Sequence, residues 1–294
     1  PGEKWDYRNT NYMLLGIMIH KVSGKFYADY LADRIFKPLG MTSTRLISDA
    51  DIIPNRSSGY ELHDEKLQNQ GWVSPTFNST ADGTLYFNVL DLAKWDEALY
   101  GTSLLKQSSL DRIWTVFPLN DGKPNPANYG FAWEMNTLNG HKVIEHAGAW
   151  QGFTCNISRY VDDNLTVVVL TNLDAEHAHP EPITHTIAGL VNPALMPPPA
   201  KEHKQIAVDP KLIDGYVGRY QLNPDFVLTV TREGDHLFVQ ATRQEKFEVF
   251  PESDRDYFLK VVDAQITFVT DGAGRATELI LHQGGRDQHA KRVE

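Results

Sequence analysis

Two residues near the start of the chain have side chains suited to acid–base chemistry. Tyr7 and Asn9 flank Arg8 within the stretch Pro1 to Tyr12. A tyrosine phenol has an ordinary pKa of about 10, and cationic neighbours in a partly buried site lower that pKa because they stabilise the phenolate. In such a site Tyr7 would act as a general base, and the amide of Asn9 would orient a neighbouring group. A Tyr-x-Asn string also occurs in ordinary turns before helices, so its function depends on other landmarks.

A second segment with chemical potential is His146-Ala147-Gly148, which Ala149 and Trp150 follow. Histidine carries a positive charge when protonated, and glycine lets a ligand approach the backbone because it has no Cβ. The alternative interpretation is a structural histidine beside a glycine turn. We expect both segments to contribute to one site.

The two segments together resemble the serine β-lactamase and penicillin-binding-protein superfamily, in particular its class C and esterase-like branch. The order and spacing of several short strings carry this resemblance, and the His146-Ala147-Gly148 segment resembles the family's Lys/His-x-Gly strand. Those strings are Pro1-Gly2, Tyr7-x-Asn9, Asn11-Tyr12, Leu15-Gly16, Gly24 and Phe36-x-Pro38-Leu39-Gly40-Met41.

The resemblance implies acyl transfer, in which a serine attacks an ester, amide or β-lactam carbonyl and water releases the acyl-enzyme. It assigns Tyr7 as general base or part of a proton relay and Asn9 as a positioning group. His146 would contact a substrate carboxylate or leaving group, and the backbone N–H of Ala149 would stabilise the oxyanion. Gly148 and Trp150 would line the substrate site. Asn78, Ser79, Asp82 and Gly83 match only loosely a glycine-rich segment that many family members have beside the active site.

The family's nucleophile is the serine of a Ser-x-x-Lys motif that precedes the Tyr-x-Asn motif. Ser103-Leu104-Leu105-Lys106 is the only such string here, but it follows Tyr7 and falls in a predicted loop. We therefore interpret it as a coincidence and expect the chain to be the C-terminal portion of such a hydrolase, without its nucleophile. The alternatives are a catalytically inactive binding or scaffold module, or one half of a two-chain enzyme. Arg8 stands where serine or alanine is common, which favours esterase or peptidase activity over class C antibiotic hydrolysis.

Composition excludes several other classes of protein. The 294 residues have a formal net charge of −10, which disfavours binding to nucleic acids and anionic membranes. No apolar run approaches the roughly 20 residues that span a bilayer. Cys155 is the only cysteine, so an intrachain disulfide is impossible. His177, His179 and His185 lack a metal-binding spacing, and we expect neither a metal nor a cofactor. Periplasmic or secreted localisation is favoured by the resemblance only.

The pattern along the chain predicts two domains that differ in secondary-structure content. We expect a partial β-lactamase-like domain at 1–192, a proline-rich linker at 193–208 and a β-barrel domain at 209–294. The first is predicted as a mixed α/β (α+β) domain, with an antiparallel sheet flanked by helices. Half of a layered domain would leave apolar faces uncovered, which predicts self-association or a second chain. The expected helices are Thr10–Val22, Phe26–Phe36, Leu90–Leu99, Ser109–Val116 and Pro182–Leu195; the second stops at Pro38, and Ser109 is the expected N-cap of the fourth. The expected strands are Tyr129–Glu134, Lys142–His146, Phe153–Tyr160 and Leu165–Thr171.

The segment after the prolines contains about eight short strands separated by glycine-containing turns, such as Glu233-Gly234-Asp235. This spacing is typical of a small up-and-down barrel or sandwich. The segment also resembles the lipocalin-like barrel that is appended to many β-lactamase-related hydrolases.

Overall fold

The first regular element is the helix that follows the Tyr-x-Asn motif. In the computed structural model, which describes residues 2–48, 50–72, 79–198, 202–223, 226–242, 244–283 and 286–293, helix α1 covers Asn9–Ser23. It ends at Gly24, whose φ of 71° is left-handed and whose N–H donates to the carbonyl of His20. Glycine reaches this conformation without the penalty that a Cβ imposes. The predicted helix is therefore confirmed to within one residue at each end.

The next helix runs further than predicted. Helix α2, Tyr27–Leu31, continues through a π-helical turn, Ala32–Phe36, into the short α3, Lys37–Leu39. The prediction that Pro38 stops the helix was wrong. Hydrogen bonds in a π-helical turn join residues that are five apart instead of four. This turn ends two residues before Pro38, which has no backbone N–H to donate. The helix ends instead at Gly40, with φ of 66°.

Two small ladders and two helices follow. Strand β1 (Arg45–Leu46) pairs with β4 (Leu85–Tyr86), and β2 (Tyr60–His63) pairs with β3 (Lys66–Asn69). Helices α4 and α5 cover Val89–Leu99 and Gln107–Ile113. The Asn88 side chain caps α4 by accepting from the N–H of Asp91. The predicted cap of α5 at Ser109 was wrong, because the N–H of Ser109 already donates to the carbonyl of Lys106 inside the first turn.

An antiparallel four-stranded sheet forms the centre of the first unit. Its spatial order is β5-β6-β7-β8, so each strand pairs with the next one along the chain. The predicted strand at Tyr129–Glu134 was wrong: Asn128 and Ala132 adopt φ of 50° and 63°, which turns the chain twice before the strand begins. The four strands are Glu134–Leu138, His141–Trp150, Phe153–Tyr160 and Leu165–Thr171.

Helices cover both faces of this sheet. Helix α6, Pro180–Val191, packs on β7 and β8 around Tyr160 and Ala188, both fully buried. A 3-10 turn, Pro193–Leu195, follows and buries Leu195 in the same cluster. The opposite face carries Leu99, Leu110 and Ile144. A mixed α/β domain with an antiparallel sheet between helices is thus confirmed.

The chain divides into two units, Pro1–Pro197 and Pro198–Glu294. The second unit begins with helix α7, Pro210–Tyr216, and then forms a closed barrel in which each strand pairs with its sequence neighbour and the last pairs with the first. Side chains including Tyr216, Tyr220 and Phe268 fill the core of this unit. The predicted eight-stranded barrel is confirmed. Its strands β9–β16 are Gly218–Asn223, Phe226–Glu233, His236–Ala241, Lys246–Pro251, Asp256–Leu259, Ala264–Thr270, Ala276–Gln283 and Arg286–Arg292.

Within the described part of the chain, no helix is both long enough and apolar enough to span a membrane.

Candidate active site

The fold brings Tyr7 and His146 together although they are distant in sequence. Tyr7 lies in the segment that leads into α1, and His146 lies on β6. Their ring centroids are 6.1 Å apart, and Tyr129 lies 5.9 Å from Tyr7 and 5.7 Å from His146. Trp5 contacts Tyr7 and Tyr129. The two landmarks found in the sequence therefore border one aromatic cluster, which we call the tyrosine cluster: Trp5, Tyr7, Tyr12, Tyr129 and His146.

A chain of hydrogen bonds crosses the tyrosine cluster. The hydroxyls of Tyr12 and Tyr129 are 2.8 Å apart, and the Tyr129 hydroxyl is 2.9 Å from Nε2 of His146. Nδ1 of His146 lies 2.5 Å from the carbonyl oxygen of Ala147. Both ring nitrogens of His146 are thus engaged within the protein.

No role for Tyr129 follows from the sequence pattern, which predicts a strand over Tyr129–Glu134. The segment is instead folded around Asn125, a side chain only 2% exposed. Its Nδ2 donates to the carbonyls of Phe117 and Tyr129, and its Oδ1 accepts from the N–H groups of Ala127 and Tyr129. One amide therefore bonds both backbone groups of Tyr129 and holds the backbone that carries its ring. The Asn125-x-x-x-Tyr129 spacing is compatible with one face of a helix or of a strand, so it does not reveal this irregular segment.

The electrostatic surroundings of Tyr7 differ from those expected. Burial raises the pKa of Tyr7, and Tyr12, Asp82 and Glu134 raise it further. The neighbouring Arg8 is exposed and pairs with Asp6, at 2.9 Å from its carboxylate. The cationic neighbours under which the sequence predicts a lowered pKa of Tyr7 are not among the groups that influence it in the described residues. A phenolate at this position requires a positive charge from elsewhere.

The second half of β6 has an open edge. Pairing with β5 ends at Glu145, so from His146 onward β6 pairs only with β7 among the described residues. The carbonyl of Ala147 accepts a hydrogen bond from the His146 side chain and therefore points away from β7. Since the backbone groups of successive strand residues alternate in direction, the N–H of Ala149 lies on that same open edge.

Gly148 has a packing reason as well as the predicted ligand-binding one. A Cβ added at Gly148 would come within 2.8 Å of Sγ of Cys155, its partner across the ladder. Trp150 ends the strand at a turn in which Gln151 and Gly152 both have positive φ, the geometry of a type I′ hairpin. The indole Nε1 of Trp150 is buried without a hydrogen-bond partner.

Neither Tyr7 nor His146 is hydrogen-bonded to a serine side chain within the described residues. Ser103 is exposed in the loop between α4 and α5, as predicted, and Lys106 caps α5. Asn9, the first residue of α1, is exposed at the helix start. Of the loosely matched segment, Asn78 lies outside the described residues, while one oxygen of Asp82, Oδ1, is buried without a hydrogen-bond partner.

A second cluster of polar groups lies on the opposite face of β6. The Glu145 carboxylate accepts from Asn136 at 2.9 Å, from Ser158 at 2.8 Å and from His185 at 2.7 Å. Ser158 also bonds Thr184. Although it contains serine, histidine and glutamate, this cluster is not a catalytic triad, because Ser158 and His185 both bond the carboxylate and Ser158 is 0% exposed. Sequence analysis missed it.

The histidines considered as metal ligands do not converge. His177 bonds Asp174 at 2.7 Å, whereas His185 bonds Glu145 on the sheet. Glu145, Glu181 and His185 do place one ligand atom each within 4.8 Å of one another. Both oxygens of Glu145 already accept hydrogen bonds, so this group needs no cation to be satisfied.

Comparison with known proteins gives two family matches. The family model described as Beta-lactamase matches residues 1–190, and the model described as Domain of unknown function (DUF3471) matches residues 202–292.

Individual relatives show the same relationship. Penicillin-binding protein 4* of Bacillus subtilis (strain 168) is 29% identical over 310 residues, covering 100% of this chain and 68% of its own length. The D-aminopeptidase of Brucella canis is 27% identical and covers 79% of this chain, but only 42% of its own length is matched. The chain therefore spans less than half of that relative.

Solved structures share the fold. An octameric penicillin-binding protein homologue from Pyrococcus abyssi superimposes with a TM-score of 0.59 at 24% identity, over 99% of this chain and 66% of its own. A D-stereospecific amidohydrolase from Streptomyces superimposes with a TM-score of 0.51 at 27% identity, over 59% of this chain and 52% of its own.

Proposed function

Because this chain belongs to the Beta-lactamase family, we propose that it carries the base and oxyanion side of a serine-hydrolase site that transfers acyl groups from amide or ester carbonyls. The observation that carries this proposal is the approach of Tyr7 to His146, whose ring centroids are 6.1 Å apart. Each lies in a segment that the family's chemistry requires, one before α1 and the other on the open half of β6.

The proposed roles follow from chemistry and position. A serine oxygen attacks the carbonyl carbon while its proton passes to Tyr7 as base, and the N–H of Ala149 stabilises the oxyanion. Collapse breaks the bond to the leaving group, which takes up the proton, and water then hydrolyses the acyl-enzyme. Asn9 positions the reacting groups, and Gly148 and Trp150 border the substrate.

Amides of D-amino acids are the substrate class that we favour. One relative is named a D-aminopeptidase and one structural neighbour a D-stereospecific amidohydrolase. The carboxylates of Asp82 and Glu134 influence Tyr7, so this part of the site suits a neutral or ammonium-bearing substrate better than an anionic one. Esters and β-lactams are the alternative carbonyl classes.

The serine and its lysine are proposed to come from polypeptide outside these 294 residues, either in the same chain or in a second one. Three observations support this. No serine bonds Tyr7 or His146 among the described residues, and Tyr7 needs an added cation to ionise near neutral pH. In addition, α1 exposes Leu14, Leu15, Ile17, Met18 and Val22 by 49 to 87%. An apolar face of this kind is typical of a surface that another segment covers.

The second candidate is an inactive binding module. The raised pKa of Tyr7 favours it, because a protonated phenol is a hydrogen-bond donor and not a base. The two candidates differ in whether a supplied serine becomes reactive.

Covalent labelling separates them. The chain alone is incubated with a fluorophosphonate probe or with penicillin and examined by intact mass, and we expect no adduct. A chimera then joins the part of Bacillus subtilis Penicillin-binding protein 4* that precedes its match to Pro1 onto this chain. We expect an adduct on the supplied serine and hydrolysis of a D-amino-acid amide.

Matched variants of the chimera identify the residues involved. Tyr7→Phe should slow labelling by roughly 10²- to 10⁴-fold, the usual contribution of a general base. Ser103→Ala should have no effect. Labelling of Ser103 in the chain alone would overturn the assignment, and a folded but unreactive chimera would favour the binding module.

A further inference from the structure

The hydrogen bonds of the tyrosine cluster have a defined direction. The carbonyl oxygen of Ala147 can only accept, so Nδ1 of His146, 2.5 Å away, must carry a proton. In a neutral imidazole the other nitrogen is then an acceptor. In the neutral ring, Nε2 therefore accepts from the Tyr129 hydroxyl at 2.9 Å.

This direction continues to Tyr12. Because the single proton of the Tyr129 hydroxyl points to His146, its oxygen must accept from the Tyr12 hydroxyl, 2.8 Å away. With a neutral His146 ring, Tyr12 is the first donor in the series, and the carbonyl oxygen of Ala147 accepts the last hydrogen bond. The order Tyr12, Tyr129, His146, Ala147 satisfies each hydrogen bond with one proton.

The surroundings keep Tyr129 a donor. Burial raises the pKa of Tyr129 far above its ordinary range, and the neighbouring Tyr12, Tyr7 and Glu134 raise it further. Burial also raises the pKa of Tyr12. Asn125 holds the backbone N–H and C=O of Tyr129 by two hydrogen bonds, so the backbone that carries the ring is fixed.

We propose that Tyr129 is a positioning residue that holds the neutral ring of His146 with its proton on Nδ1, and that Tyr12 and Tyr129 deliver a proton to Nε2 when His146 takes one up. In that step the Tyr129 proton moves to Nε2, the Tyr12 proton moves to the Tyr129 oxygen, and Tyr12 takes a proton from water. The net change is one proton transferred from solvent to His146.

The neutral ring of His146 is accordingly held in one tautomeric state. The importance of this state for catalysis rests on the proposed function, but the state itself is a property of the chain alone. It can therefore be tested without enzymatic activity.

Long-range ¹H–¹⁵N spectra of the histidine rings measure which nitrogen carries the proton. The spectra are recorded above the ordinary histidine pKa of about 6.5, and His146→Asn assigns the signal. We expect the His146 proton on Nδ1 in the unmodified chain. In Tyr129→Phe the fraction with the proton on Nε2 should rise roughly five-fold, which corresponds to the loss of one neutral hydrogen bond.

Two further variants keep the test decisive. Tyr12→Phe removes the donor to Tyr129 and should shift the ratio in the same direction by a smaller amount, even if Tyr129→Phe fails to fold. Tyr257→Phe removes a hydroxyl of the second unit that has no hydrogen-bond partner and should leave the His146 signals unchanged. A proton on Nε2 in the unmodified chain, or an unchanged ratio in folded Tyr129→Phe and Tyr12→Phe, would overturn the proposal. Failure of the serine-labelling experiment would leave this result intact.

Discussion

Tyr7 is surrounded by groups that oppose its ionisation. Burial has the largest effect, and Tyr12, Asp82 and Glu134 add to it. Asp82 is of particular interest because its Oδ1 is buried without a hydrogen-bond donor. A carboxylate oxygen in that condition costs free energy unless a cation or donor reaches it. The charge of this single side chain therefore affects both the titration of Tyr7 and the ligands that the site accepts.

Replacing Asp82 by asparagine tests this relation. Asp82→Asn removes a negative charge near Tyr7, so we expect the pKa of Tyr7 to fall. The ¹³Cζ shift of tyrosine, followed from neutral to alkaline pH, measures this pKa, and Tyr7→Phe assigns the signal. Asp111→Asn, an exposed position on α5 that does not influence Tyr7, is the control. An unchanged or higher pKa in Asp82→Asn would show that the charge of Asp82 does not reach the phenol.

The sequence predicted some site residues and missed others for a physical reason. Tyr7 and His146 lie in short strings with a recognisable order, and the structure brings them together; their catalytic roles and those of Asn9, Gly148, Ala149 and Trp150 stay predictions. Tyr129 was missed because no periodicity reveals a segment wrapped around one asparagine. Such a contact depends on side-chain hydrogen bonds across irregular backbone, which propensity and pattern do not contain.

Strand β6 connects two different environments because its side chains alternate between the faces of the sheet. His146 joins the tyrosine cluster, and the adjacent Glu145 points to α6, where it accepts from Asn136, Ser158 and His185. These bonds link β5, β6, β7 and α6. The buried Glu145–His185 pair, on the opposite face of the sheet, thus holds the strand that carries His146.

The pH dependence of stability should reveal this pair. Burial opposes ionisation of Glu145 most strongly, but the bonds and charge of His185 and the donors Asn136 and Ser158 outweigh it, so the pKa of Glu145 is lowered. Burial likewise opposes charging of His185, but Glu145 outweighs it and the pKa of His185 is raised. The Glu145 contribution is complete above its ordinary pKa of 4.5 and is lost as the pH falls through the lowered value. The His185 contribution is complete below 6.5 and is lost as the pH rises through the raised value.

We therefore expect the pair to stabilise the first unit most between pH 4.5 and 6.5. Glu145→Gln should lower the free energy of unfolding there by roughly 3 kcal/mol, because it leaves His185 buried without its counter-charge. Urea unfolding at several pH values measures this quantity. The exposed Glu176→Gln serves as a control, and an equal loss at all pH values would contradict a charged pair.

Element boundaries were predictable where local chemistry decides them. Gly24 ends α1 because a left-handed residue is needed there, and β7 and β8 have the bounds that their turn residues indicated. The stop at Pro38 was wrong because the preceding π-helical turn accommodates the proline, and no local signal distinguishes that turn from an ordinary helix end. The strand at Tyr129 was wrong because two left-handed residues, Asn128 and Ala132, interrupt it.

The whole chain consists of two units with separate hydrophobic cores. The core of the first surrounds the four-stranded sheet, and that of the second fills a barrel whose strands are all paired on both sides. A closed barrel has no free edge and does not need another segment to complete its hydrogen bonds. The second unit should therefore fold without the first.

Calorimetry tests this independence. The fragment 198–294 should unfold in one cooperative transition with an enthalpy of about 60–80 kcal/mol, typical of a domain of about 100 residues. The full chain should show the same transition as one component of its thermogram. Glu145→Gln, which lies in the first unit, should lower only the other component. A fragment that lacks a cooperative transition would show that the barrel depends on residues 1–197.

The lone cysteine has a practical consequence. Cys155 lies against Gly148 on the ladder that carries His146, and burial raises the pKa of its thiol. Thiols react with disulfide reagents mainly as thiolates, so the raised pKa slows modification of this half-buried thiol. With no other thiol in the chain, the rate of its modification reports on access to this part of the sheet. The protein thus contains a kinetic probe one ladder position from its candidate oxyanion edge.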